Sequence, residues 1–234
     1  MHNLIKAVLF DLDDTIFDHK HSRRMGLKAL QHDYPELKTV PLKRLEEEHE
    51  TLLNSSYLRV LDGKVSVAEG ISERIRNLCS MHGLSLDLEE SRVAADLYNL
   101  EYLKHRRAIP GIVELLRFLR EHVKTGIVTN GLVAVQAEKI RVCQVRELID
   151  FAVVSEEIGY RKPGREIFME ALRRANAGPF ETVYVGDSWL SDVMPAHQCG
   201  FRTVWINRYG SRCPDLKITT EIKSYKGLDY RLFL

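Results

Sequence analysis

The sequence carries no excess of charge of one sign: 34 lysines and arginines stand against 33 aspartates and glutamates, a formal net charge of +1. That balance excludes the broad positive field that holds nucleic-acid polymers or an anionic membrane surface. Partners are expected to be small or local. Cysteine is sparse as well: Cys79, Cys143, Cys199 and Cys213 lie far apart with no C-x-x-C pair. The spacing argues against a zinc site and a disulfide framework, and for a reducing, cytoplasmic compartment. No apolar run is long enough for a membrane span, and the first is cut by Asp11, too early for the core of a signal peptide. Internal repeats and low-complexity segments are also missing. What is present, 234 residues of which 44% are hydrophobic, suffices for one substantial core or a core plus a small accessory domain.

The first apolar run, residues 6–10, has the character of a buried parallel strand and ends in Asp11-Leu12-Asp13-Asp14-Thr15. Crowded carboxylates at a partly desolvated strand end cost free energy that something must offset. In extended backbone Asp11 and Asp13 share a face while Leu12 turns back. Two readings fit: a loop of turn-forming acids, or a divalent-cation site with a nucleophile and a proton carrier.

From about residue 17 to 107 the spacing is helical and no strand is convincing. Leu42, Leu45, His49, Leu52 and Leu53 form one stripe, and Val67, Ile71, Ile75 and Leu78 another. Asp87 with Glu90 three residues on predicts a capping box, followed by Val93, Leu97 and Leu100 on one face, while Gly63 and Gly83 separate helices. His19 and His21 read as part of a hydrated linker rather than a metal pair. Beyond Pro110-Gly111 strand and helix alternate, with strands expected at 125–128, 151–154, 182–185 and 203–206 and an edge strand and short helix in the tail after Pro214. This predicts an α/β fold: a Rossmann-like, doubly wound, mainly parallel sheet formed by residues 1–16 and 108–234, with an inserted all-helical domain at 17–107.

In such sheets the site lies beyond the C-terminal strand ends. The residues there are Asp11 and Asp13 after the first strand, Thr129, Asn130 and Gly131 after the second, and Gly186, Asp187, Ser188 and Asp192 after the fourth, with Lys162 in the connection after the third. Clustered carboxylates suit a hard cation that prefers oxygen, which points to Mg²⁺. Thr129-Asn130-Gly131 offers a hydroxyl and backbone N–H groups for a phosphate, and Lys162 a positive charge. Gly126 and Gly131 have P-loop spacing, but Leu132 and Val133 stand where Lys and Ser/Thr would be required, excluding a Walker-type NTPase.

Together these stretches resemble the haloacid dehalogenase-like hydrolase superfamily. Asp11-Leu12-Asp13-Asp14-Thr15 matches its D-x-D-x-T, Thr129 its lone Ser/Thr, Lys162 its lysine, and Gly186-Asp187-Ser188 with Asp192 its last acidic motif. The resemblance implies a phosphatase in which Asp11 is the nucleophile and Asp13 the general acid and base. It also implies Mg²⁺ on the Asp11 carboxylate, the Asp13 carbonyl and Asp187, supported by Asp192. The dehalogenases of the superfamily lack the second acid, so Asp13 favours phosphoryl chemistry. The residues flanking the motifs resemble bacterial nucleoside 5′-monophosphate phosphatases, which makes a small phosphorylated metabolite the expected substrate. A phosphoglycolate or sugar-phosphate phosphatase, or a phosphomutase, is the alternative.

The insert looks like that family's helical cap, where specificity is expected. In it, Lys104-His105-Arg106-Arg107 reads as a solvated helix end or an anion-steering patch, and Tyr57, Tyr98 and Tyr102 as cap core or a base-stacking surface. Trp189 and Arg161 are candidates for the pocket entrance. A phospho-Asp receiver also combines acids, Thr, Lys and Mg²⁺, but places its aspartate on a middle strand. An inactive binding protein would have lost a motif position, and none is missing.

Overall fold

A computed structural model describes residues 4–234. The chain divides into two compact units, one built from the segments up to Asp18 and from Arg107 to Leu234, the other from His19–Arg106. Strand β1 (Ala7–Phe10) enters first, every residue of it buried. Then follow the helices of the insert: α1 (His19–Asp33), α2 (Pro35–Lys38), α3 (Leu42–Leu61), α4 (Val67–Ser80) and α5 (Leu88–Lys104). The first unit resumes with α6 (Ile112–Leu119), β2 (Lys124–Thr129), α7 (Val133–Val142), β3 (Phe151–Val154), α8 (Ser155–Ile158), α9 (Arg165–Ala175), β4 (Thr182–Gly186), α10 (Met194–Gln198), β5 (Arg202–Ile206) and β6 (Thr220–Ile222).

The six strands form one sheet in the order β3-β2-β1-β4-β5-β6, and every pair is parallel. From β1 the chain winds outward to β2 and β3, then returns to build β4, β5 and β6 on the other side. The reversal makes β1 the switch point, where a crevice opens at the strand ends. In register, Phe10 pairs with both Ile127 and Val185, so Asp11 leaves the sheet beside Val128 and Gly186. On one face Leu9, Val128, Val153 and Tyr184 pack against Ile167, Phe168, Ala171 and Leu172 of α9 and against Phe201. The apolar face of α9 and the continuous apolar strands of the interior account for this layer.

The insert has its own core, with Leu27, Leu30, Leu37, Leu45, Ile75, Leu78, Cys79, Ala94, Ala95 and Tyr98 at its centre. The expected Asp87–Glu90 capping box opens α5, and a second, Ser66–Glu69, opens α4. Each cap stabilises its helix by about 1 kcal/mol. Gly63 and Gly83 take positive φ between helices. Two expectations are corrected. The buried face of α5 is Ser91, Ala94, Ala95 and Tyr98, while Val93 and Leu100 are more than half exposed. Small residues let α1 and α5 approach: a Cβ on Gly26 would stand 2.6 Å from the Tyr98 ring. His19 and His21 belong to the first turn of α1, and His19 Nδ1 lies 2.9 Å from the Tyr102 hydroxyl. Among the described residues no helix is long and apolar enough to cross a membrane.

Candidate active site

The segments on either side of the insert are tied to each other within the first unit. Ile109 N–H donates to Ile16 O at 2.8 Å and Asp18 N–H to Arg107 O at 3.0 Å, with Phe17 bridging antiparallel to Ala108. The fully buried Asp18 carboxylate accepts from Arg107 Nε and from Arg208 Nη1, each at 2.9 Å. Tyr225 donates to Thr15 O at 3.1 Å. These contacts fix the loop that carries the acids.

Asp11, one residue beyond β1, is 6% exposed, and its N–H donates to Val185 O at 2.9 Å. Lys162, equally buried, places its ammonium 2.5 Å from Asp11 Oδ1 and 2.6 Å from Asp192 Oδ1. Tyr184 completes this group. Its ring packs among Phe168 and Phe201, and its hydroxyl lies 3.2 Å from Asp192 Oδ1. Asp192 Oδ2 accepts from Ser188 N–H at 3.1 Å. Gly186 makes room for that carboxylate, since a Cβ there would stand 2.4 Å from Asp192 Cβ, far inside contact distance.

Burial is costly for these charges. It pushes the Asp11 carboxyl up to about 7, with Asp192 and Asp13 adding to the rise and Lys162 opposing it. Burial also carries Asp187 well above the carboxylate range, reinforced by Asp11, Asp14 and Asp192. Lys162 is held well above its ordinary value by the two aspartates, which outweigh its own desolvation. One lysine does not balance three carboxylates. Oxygens of Asp11, Asp187 and Asp192 lie within 4.8 Å of one another. An all-oxygen set of anionic donors with unrelieved repulsion fits a hard divalent cation, and Mg²⁺ in particular. Two of the three differ in availability: Asp192 already accepts through both oxygens, which suits a supporting role, while Asp187 receives the Trp205 indole N–H on its backbone carbonyl and keeps its carboxylate for the cation.

Asp13 takes a separate course. Its carboxylate accepts from Lys139 Nζ at 2.7 and 2.8 Å and from Gln136 Nε2 at 3.2 Å, and it is not in the carboxylate cluster that could hold a metal. Lys139 and Gln136 lie three residues apart on α7, on one face. Neither was singled out from the sequence, although a Gln and a Lys one turn apart in the helix following Thr129-Asn130-Gly131 were the available signal.

The residues expected to hold phosphate are brought to the rim, with their groups in different uses. Thr129 Oγ1 accepts from Gln136 Nε2 at 2.6 Å. The Asn130 amide clamps Lys162 from both sides, accepting its N–H at 2.8 Å and donating to its carbonyl at 3.0 Å. Asn130 therefore places the lysine rather than presenting its side chain to a ligand. Gly131 N–H donates to Ser155 Oγ at 3.0 Å, and its φ of 147° with Gln136 carbons 2.9 Å from a would-be Cβ explains the glycine. Trp189 packs edge-on against Trp205, with centroids 5.6 Å apart.

Residues 8–206 match the haloacid dehalogenase-like hydrolase family. The chain belongs to that family. It is 31% identical over 221 residues to the glyceraldehyde 3-phosphate phosphatase of Methanopyrus kandleri, covering 88% of this chain and 85% of that one. Pyrimidine 5′-nucleotidase YjjG of Escherichia coli is 36% identical over 108 residues, 46% of this chain and 48% of its own length. Among solved structures, the magnesium-bound HAD-hydrolase YfnB of Bacillus subtilis superposes with a TM-score of 0.73 at 23% identity, over 99% of this chain and 100% of that one. With relatives named as phosphatases and a nucleotidase, the chain stands among the phosphoric monoester hydrolases of the family.

Proposed function

We propose that this enzyme is a Mg²⁺-dependent phosphomonoester hydrolase that works through an aspartyl phosphate on Asp11, with Asp13 as general acid and base. Its substrate is a small phosphorylated metabolite, a sugar phosphate or a nucleoside 5′-monophosphate. The observation that carries this reading is the division of labour between the two acids. Asp11 sits buried on Lys162 beside Asp187 and Asp192, whereas Asp13 is held apart on Lys139 and Gln136.

A carboxylate approaching a phosphate dianion is repelled, so neutralisation must precede attack. Asp11 and Asp187, supported by Asp192, would hold Mg²⁺, which when bound supplies that positive charge. Lys162, fixed by the Asn130 clamp, adds its own charge at Asp11. An Asp11 oxygen then bonds to phosphorus as the ester P–O bond breaks, and Asp13 delivers a proton to the departing alkoxide. In the second half a water oxygen attacks phosphorus, its proton passes to Asp13, and the bond from phosphorus to Asp11 breaks. Asp11 is then again a free carboxylate, and Asp13 again carries the proton with which it began. Thr129, at the end of β2, would meet a phosphate oxygen, with Gln136 donating to its hydroxyl.

The helical insert is proposed as the cap that confers specificity. The test is phosphate release from nucleoside monophosphates, sugar phosphates and phosphoglycolate, with and without Mg²⁺, for the wild type and Asp11→Asn. Mg²⁺-dependent release that disappears in the variant supports the reading. Release that persists in Asp11→Asn refutes it, and phosphate exchanged between positions of a bisphosphate without release identifies a phosphomutase.

A further inference from the structure

The insert buries a cluster of hydrogen-bond donors that lacks an acceptor. Arg74 of α4, 9% exposed, donates from Nε to His49 Nε2 of α3 at 3.0 Å. Because His49 Nε2 accepts, the ring proton sits on Nδ1, and Nδ1 is buried with no partner. Arg23 of α1, 7% exposed, likewise has a buried Nε–H with no partner, and its ion-pair partner among the described residues is the half-exposed Glu50, 3.6 Å away.

Arg74 has no carboxylate partner among the described residues. Its electrostatic neighbours are Tyr98, Arg23 and Tyr102. Two guanidinium groups and an imidazole N–H are thus desolvated around Tyr98, whose ring lies tilted against His49 with centroids 5.2 Å apart and which sits against Gly26, one turn from Arg23 on α1. Burial together with Arg74, Arg23 and His19 keeps the His49 ring neutral, so it too offers a donor without adding charge. Arg74 has an acceptor but no counterion, and Arg23 has only a 3.6 Å contact to Glu50, an arrangement that is unfavourable unless an anion is supplied. Water could satisfy an N–H, but it leaves the charge of Arg74 unpaired.

The cluster also has a defined place in the insert. Arg23 lies in the second turn of α1, which begins the unit, and Tyr98 and Tyr102 lie in the last two turns of α5, which ends it. With His49 on α3 and Arg74 on α4, it draws on four helices of the insert.

We propose that Arg23, Arg74 and His49 form an anion-binding site within the insert that takes a carboxylate or phosphate group. Arginine forks suit both groups by bidentate hydrogen bonding, and the Nδ1–H of His49 supplies a further donor.

The test is a titration of the full chain, labelled with ¹⁵N-histidine, with malonate and separately with inorganic phosphate, following the His49 ring resonances, which are assigned by their loss in His49→Gln. Either anion should move them saturably below about 50 mM, and Arg74→Gln should abolish the movement. Which anion acts distinguishes carboxylate from phosphate. No movement with either in the wild type overturns the site, whatever the folding of the variants.

Discussion

Replacing Lys162 with methionine tests the charge balance of the active site. The ammonium lies between Asp11 and Asp192 at 2.5 and 2.6 Å, and all three groups are buried. Methionine fills nearly the same volume, so the change removes charge with little change in packing. Taking one partner from a buried ion pair costs about 3–5 kcal/mol, which for a chain of this size lowers the thermal midpoint by about 6–20 °C. The loss must depend on pH. Burial already pushes the Asp11 carboxyl up to about 7, far above the ordinary carboxylate range. A carboxyl raised in this way stabilises the fold in its neutral form and loses that contribution as pH climbs towards the folded value. Without Lys162 the one residue that lowers the Asp11 value is gone, so the decline extends to higher pH. Melting curves of both proteins in EDTA between pH 5 and 8.5 should show a gap that is small at pH 5 and largest above pH 8, and Mg²⁺ should narrow it. A gap that is the same at both ends, or below about 1 kcal/mol throughout, would refute this account of how the carboxylates are balanced.

Asp11→Asn should lower phosphate release by at least about a thousandfold while leaving the EDTA midpoint unchanged or higher, because it relieves repulsion; a clear fall in midpoint would contradict this. Lys139→Met keeps the stem near the Phe17 ring and leaves Asp13 with Gln136. Steady-state kinetics should show kcat reduced by about 10- to 100-fold with KM little changed, and recovery in Lys139→Arg would mark a positioning role. Gly186→Ala forces a Cβ to 2.4 Å from Asp192 Cβ, so it should cost about 1–3 kcal/mol in a denaturant titration and reduce activity through the displaced Lys162. Stripping divalent cations with EDTA should abolish turnover, and added Mg²⁺ should restore it; turnover that survives chelation refutes the metal requirement.

The parts of this molecule legible in its sequence are those encoded locally. β1 announces itself as a short apolar run ending in acids, and the strand and helix alternation beyond Pro110 specifies the parallel sheet, because each element carries its own periodicity. Topology then brings Asp11, Thr129 and Asp187 to one rim, since all three follow strands adjacent at the switch point. The α5 face was misread because apolar residues marked the stripe, whereas close approach of α1 selected alanines and Tyr98 for the interior. Asn130 was read by type, as a polar residue beside a phosphate site. Its actual partner is the backbone of Lys162, thirty-two residues on, and no spacing rule encodes that pairing.

The same limit governs the charges that hold the site in place. Asp18 finds Arg107 and Arg208 at separations of 89 and 190 residues, and Asp13 finds Lys139 at 126. A hydrophobic face must repeat along the chain to be buried, so it leaves a period. A buried charge needs only one partner, from anywhere in the chain, and leaves none. The balance can nevertheless be checked once the fold is known, because each desolvated charge requires a counterpart. Asp18 and Asp13 have theirs within the chain. The Asp11, Asp187 and Asp192 group exceeds what Lys162 can balance, which is the physical case for a cation. Arg74 has a surplus of the opposite sign, and by the same reasoning an anion is needed there.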